Sequence, residues 1–262
     1  MLIVVSPAKS LDYQSKIKTR KHSQPRFAEE AKILADKLKS LKPKQLSRLM
    51  HMSDALGEQN YERYQQWQAS FDLANSRQAV FAFKGDVYLG LEAEQLSAAD
   101  LSYAQDHLRI LSGLYGVLRP LDLMRPYRLE MGTDLKVARK KNLYHYWGSR
   151  LTDSINEDLQ ALAKKKEEKV LINLASHEYF NALQAKDLDA PIVTPVFKDW
   201  ASGKYRVLSF FAKKARGQMV AWIIKNRIKS PQRLLEFDVE DYKYSADESS
   251  ELKPTFLRKT KK

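Results

Sequence analysis

The 262-residue chain has no cysteine. That excludes disulfides, a thiolate nucleophile and Cys-ligated zinc or iron–sulfur centres. It also has no apolar run approaching the ~18–20 residues of a membrane span. The short run Leu2–Val5 lacks the basic segment that precedes a secretory signal. These absences fit a reducing, cytoplasmic setting with no membrane attachment. The 5 histidines are scattered, no His-x-x-x-His spacing or dense group of acids occurs, and so neither a metal nor another cofactor is implied. Internal repeats and linker-like stretches are also missing, so residues 1–262 read as one domain.

Acid is missing where it would matter most. Residues 204–233 carry nine Lys/Arg and no Asp or Glu, and residues 16–48 carry eleven against three. The stretch 251–262 adds five bases against one acid and reads as a basic flexible tail, whereas 234–250 holds six acids and one lysine. The net charge of +13 is therefore segregated, as expected of a protein that meets a polyanion. A solvated lysine-rich surface is the competing explanation, the weaker one for the N-terminal block and weaker still for 204–233.

Strands and helices alternate along the chain, which predicts a mixed α/β fold with a central sheet and surrounding helices. Leu2–Ser6, Ala79–Phe83, Lys169–Ala175, Pro191–Phe197, Tyr205–Phe211 and Leu234–Tyr244 read as strands. Residues 25–68 and Ala212–Arg227 read as helical. Ser97-x-x-Asp100 is a capping-box pattern for a helix over 98–111.

The segment His107–Gly132 holds four arginines, two prolines and three glycines. Gly113, Leu114, Tyr115 and Gly116 follow the predicted helix directly, as in a helix-hairpin-helix whose backbone amides grip phosphates without reading bases. A helix C-cap accounts equally for Gly113. Arg119 and Arg125 each stand beside a proline, and with Arg109 and Arg128 they form an anion-binding set or pair internally with Asp122 and Glu130. Lys213, Lys214 and Arg216 open the last basic helix, where cations oppose the dipole unless an anion sits among them. Lys9 and the Lys84-Gly85-Asp86 turn each follow a predicted strand, as do Asn173 and Glu178. Strand ends are where α/β proteins place ligand groups. Glu130 joins them as a candidate pocket residue.

Six segments together resemble the peroxide stress protein YaaA family of bacteria: SPAKSLDY (6–13), FKGDVY (83–88), the long run 108–132, LYHYWG (143–148), NLASHEYF (173–180) and AKKARG (212–217). The resemblance implies a cytoplasmic protein of the hydrogen peroxide response that limits Fenton damage by lowering free iron. It also implies an unusual single-domain α/β fold with a positively charged cleft. The implied helix-hairpin-helix maps onto about residues 98–124, and the implied partner is DNA. Two functions follow as expectations. One is a non-enzymatic binder of double-stranded or structured DNA. The other is an enzyme acting on a nucleobase, nucleotide or other phosphorylated small molecule through Lys9, Lys84, Asp86, Glu130, Asn173 and Glu178. Convergence of those side chains in a pocket favours the second, and their spread along an open groove favours the first.

Overall fold

The computed structural model describes residues 1–259. In chain order it contains β1 (Leu2–Val5), β2 (Ser10–Leu11), α1 (Ala28–Lys39), α2 (Pro43–Leu49), α3 (Asp54–Gln66), β3 (Arg77–Gln78), α4 (Ala79–Ala82), β4 (Phe83–Lys84), α5 (Asp86–Leu91) and α6 (Ala98–His107). There follow β5 (Leu108–Ser112), β6 (Gly116–Leu118), β7 (Leu123–Met124), α7 (Leu143–Trp147), α8 (Arg150–Lys164), β8 (Leu171–Leu174), α9 (His177–Phe180), β9 (Ile192–Val193), β10 (Val196–Ala201), β11 (Lys204–Arg206), α10 (Ser209–Asn226), β12 (Lys243–Ser250) and β13 (Lys253–Arg258).

The fold is mixed α/β. Its main sheet has the order β6-β5-β1-β8-β9, with β1 parallel to both β5 and β8. Parallel strands covered on both faces read as continuous apolar runs. Leu2-Ile3-Val4-Val5, wholly buried, is such a run. A second sheet, β11-β10-β13-β12, is built over stacked aromatics, Phe197 on Phe256 with Phe237 and Tyr242 edge-on. A two-strand pairing, β2 with β4, zips the Lys9 loop to the Lys84 loop through Ser10 and Lys84.

Several sequence expectations are corrected here. The region 98–124 is not a helix-hairpin-helix. The capping box does start α6, with Ser97 Oγ accepting from Asp100 N, but the helix ends at His107. Leu108–Ser112 is drawn into the main sheet beside β1, and Gly113–Tyr115 turn it back into β6 as a β-hairpin. Tyr115 N donates to Ser112 Oγ, and Leu114 and Tyr115 are fully buried, so this turn presents no amides to a ligand. Ala79–Ala82 is one buried helical turn rather than a strand, and only Phe83 of the expected strand is extended, at the start of β4. Tyr205–Phe211 is strand only to Arg206, and α10 begins at Ser209. Leu234–Asp241 falls mainly in two short 3-10 turns, and of the expected strand only Lys243 and Tyr244 lie in one, at the start of β12. The tail is not loose over Lys253–Arg258, which is β13, pinned where Arg258 donates to Asp199 at 2.7 Å. Residues 260–262 of that predicted tail lie outside the described residues.

A helix hairpin does occur, elsewhere. α2 and α3 are joined by residues 50–53, where Met52 N donates to Ser47 O and Ser53 Oγ accepts from Leu56 N to cap α3. Lys42, Lys44 and Arg48 are exposed on it, and no acid occurs between Asp36 and Asp54.

Two contacts fix the fold around the sheet. α5 and α10 meet backbone to backbone: a Cβ on Gly217 would collide with Val87 O, and one on Gly90 with Lys214 O. On the other side, Asp158 of α8 receives Arg109 Nε from β5 at 2.6 Å and both terminal nitrogens of Arg26 at 2.8 and 2.5 Å. Burial alone would raise the Asp158 pKa, but the two guanidiniums outweigh it and hold the carboxyl below its ordinary range. Arg109, an expected anion ligand, is spent in this network.

Gly217→Val is expected to lower unfolding free energy by about 1–3 kcal/mol, the usual cost of overpacking; urea denaturation checks it, and an unchanged midpoint would contradict the helix contact. Asp158 contributes stability that is full above the unfolded carboxylate pKa of ~4 and is lost as pH falls below it. In Asp158→Asn, melting temperatures followed from pH 7 to pH 3 should accordingly fall less steeply than in the parent.

Candidate functional site

β5 and β8 flank β1 on opposite sides, so the chain reverses its direction of winding between β1 and β8. Ligands of open α/β sheets bind outside the carboxyl ends of the strands at such a point. Ser6 follows β1 and Ser176 follows β8. Ser176 N donates to Ser6 Oγ at 2.8 Å, and Ser6 Oγ donates to Ser176 Oγ at 3.2 Å. Above them opens a pocket of about 440 Å³.

Chemistry converges there from five segments. Lys9 comes from the loop after β1, Lys84 and Asp86 from the β4–α5 turn, Glu130 from the segment before α7, Glu178 from α9, and Lys213 and Arg216 from α10. Tyr88 and Tyr179 close the floor. Tyr88 OH donates to Ser6 O at 3.0 Å, and burial raises the pKa of both phenols well above its ordinary value, keeping them neutral. Lys9 Nζ pairs with Glu130 at 2.7 Å. Glu178 Oε1 accepts from Gly132 N at 2.9 Å. Lys84 lies 3.7 Å from Asp12. Among the described residues, Lys213, Arg216 and Asp86 form no ion pair.

Beside this pocket lies a broader cleft of about 1060 Å³, lined by Arg20, Arg63, Arg77, Arg125 and Lys84, with Asp12 as its one carboxylate. Lys84 lines both cavities. Among the described residues these arginines are held by neutral carbonyls or have no side-chain partner. Arg77 donates to Phe81 O and Ser15 O, and Arg125 to Ser70 O and Gln66 O. Arg63 reaches only the Asn60 side chain, at 3.3 Å, and burial lowers its pKa. A guanidinium satisfied by carbonyls is fixed in place yet keeps its charge.

The remaining expected residues sit elsewhere. Gly113, Leu114, Tyr115 and Gly116 form the buried turn already described. Arg119 is bound by Asp122 and Arg128 by Glu130. Lys214 pairs with Glu240, away from the pocket. Asn173 is buried one residue short of the pocket wall, its Oδ1 accepting from Ala175 N. Sequence reasoning missed Ser6, Tyr88 and Tyr179, although each lies in or beside a motif already singled out, and it set Ser176 aside after weighing it only as a partner of His177. It missed Arg20, Arg63 and Arg77 because only tertiary folding brings them together.

The comparisons with known proteins bear on the whole chain. A family model described as peroxide stress protein YaaA matches residues 1–248. The chain belongs to this family. It is similar to a UPF0246 protein of Polynucleobacter asymbioticus, 51% identical over 262 residues that cover all of both chains. It is likewise similar to UPF0246 proteins of Teredinibacter turnerae and Saccharophagus degradans, 51% and 50% identical over 259 residues, covering 99% of this chain and all of theirs. The family name ties the YaaA relatives to peroxide stress. No described helix is long and apolar enough to cross a membrane.

Ser6→Ala removes the acceptor of Ser176 N and the bridge between the ends of β1 and β8. A loss of about 1–3 kcal/mol, the cost of a stranded donor, is expected in urea unfolding.

Proposed function

We propose that this protein acts in the cytoplasmic peroxide stress response by binding double-stranded or structured DNA without reading its sequence, and that the broad cleft is where the phosphates lie. The observation that carries this reading is the composition of that cleft, five cations facing a single carboxylate. Arginines fixed on carbonyls lose little entropy on engaging phosphate. The α2–α3 hairpin extends the surface, since α3 carries Arg63 into the cleft from a turn flanked by Lys42, Lys44 and Arg48. Thirteen residues of α3 span roughly 20 Å at the helical rise. Protection against Fenton damage and a lowering of free iron follow on this reading indirectly, from action at DNA. A thiol-free basic protein is a poor ligand for Fe²⁺.

A second reading, an enzyme acting on a nucleobase, nucleotide or other phosphorylated small molecule, draws on the convergence of Lys9, Lys84, Asp86, Glu130, Glu178, Lys213 and Arg216 around the smaller pocket.

Gel shifts with duplex, nicked, bubble and junction DNA test the first reading. Affinity should fall with salt at a log–log slope near −0.9 per phosphate neutralised. Replacing Arg20 and Arg63 together by Gln should weaken binding about tenfold or more and flatten the slope by about 2. Affinity unchanged between about 50 and 200 mM salt would sink the proposal.

A further inference from the structure

The switch-point pocket differs in character from the cleft beside it. The cleft is almost purely cationic, whereas the pocket mixes Lys9, Lys84, Lys213 and Arg216 with Asp86, Glu130 and Glu178. Nonspecific phosphate binding needs no carboxylates. A ligand with an anionic end and a hydrogen-bond-donating end needs both.

The pairing pattern divides the pocket. Glu130 is taken up by Lys9 and Arg128 together, and Glu178 is engaged by Gly132 N. Three charged groups lack an ion-pair partner among the described residues: Arg216, Lys213 and Asp86. Arg216 is half-buried, and burial is the one cause lowering its pKa, with no carboxylate to offset it. A desolvated guanidinium without a counter-charge is unfavourable and becomes favourable when an anion arrives. The Gly90 and Gly217 contacts force Arg216 into this place, because α10 lies against α5 with no side chain between them. Two unpaired cations match a phosphate dianion, whereas a carboxylate would leave one charge over. The unpaired Asp86 in turn calls for a hydroxyl or amino donor on the same ligand. The volume of about 440 Å³ falls within the ~300–1,000 Å³ of small-molecule sites.

We infer that this pocket binds a phosphate monoester of nucleotide size, its phosphate on Arg216 and Lys213 and a hydroxyl or amino group of its organic part on Asp86. The inference rests on the second reading above, and binding of a free monoester in the pocket does not require DNA in the cleft. The monoester has two available sources. It is a free nucleotide, or it is a 5′-phosphorylated end presented by DNA in the cleft, which Lys84 joins to the pocket.

Calorimetry at constant ionic strength with AMP, ribose 5-phosphate, adenosine and inorganic phosphate tests it on the full chain. AMP is expected to bind saturably at one site, with adenosine about a hundredfold weaker or undetectable. Arg216→Gln and, on the exposed helix face, Lys213→Gln should each weaken AMP by about tenfold or more while the melting temperature is kept. Asp86→Asn should weaken AMP but not inorganic phosphate. Competition by duplex with a 5′-phosphorylated nick, but not a dephosphorylated one, assigns the source to DNA; competition by neither assigns it to the free nucleotide. No saturable binding of AMP or ribose 5-phosphate at about 10 mM, or AMP affinity indifferent to both Arg216→Gln and Lys213→Gln, overturns the inference. Arg20→Gln with Arg63→Gln should leave AMP binding intact while reducing the duplex gel shift, so a failure of the cleft and a failure of the pocket are separable.

Discussion

The close approach of α5 and α10 is the constraint on which the functional face depends. Two glycines make it, Gly90 beneath Lys214 O and Gly217 beneath Val87 O. Any side chain at either position would hold the helices apart. Their contact places the start of α5, with Asp86 and Tyr88, opposite the first turns of α10, with Lys213 and Arg216. It also ties the main sheet to the second one, because α10 packs on β10 while α5 follows the β4 turn that is zipped to β2. The pocket is thus an outcome of backbone packing rather than of a local motif.

Charge is distributed by a second rule. Cations outnumber carboxylates, 45 Lys/Arg against 32 Asp/Glu, and some carboxylates serve two cations, as Asp158 and Glu130 do. Two buried carboxylates are used to hold elements: Asp158 takes Arg109 and Arg26, and Asp199 takes Arg258. The surplus includes the cleft, where Arg77 and Arg125 bond to carbonyls rather than to carboxylates. Removing one partner of a buried pair strands the other, which makes those positions structural. Changing a carbonyl-bound arginine strands no charge and alters the field in the cleft instead.

The sequence was legible where a local signal has one physical reading. Leu2–Val5 and Leu171–Leu174 are apolar runs of strand length and form the paired strands β1 and β8. The Ser97–Asp100 box starts a helix because its two side-chain bonds are made within four residues. Lys9 and Glu178 line one pocket because the parallel strands β1 and β8 deliver their carboxyl ends to one edge, and Lys84 joins them through the antiparallel pairing of β2 with β4. It was illegible where a short apolar run fits two structures. Leu108–Ser112 continues a helical face equally well, and only pairing with β1 makes it a strand; Ala79–Ala82 is the opposite case, a buried helical turn with strand-like composition. The gathering of Arg20, Arg63 and Arg77 leaves no trace in spacing at all.

The position of β1 has a consequence for the birth of the molecule. This strand of the main sheet is residues 2–5, yet its two partners begin at residues 108 and 171. At typical synthesis rates of 5–20 residues per second, β1 waits on the order of ten seconds for each neighbour. For that time Leu-Ile-Val-Val is an unpaired, uncharged β-forming segment, the kind that seeks another chain. The basic block of residues 16–48 begins only ten residues after it, and like charge close to such a segment opposes its pairing with a second copy.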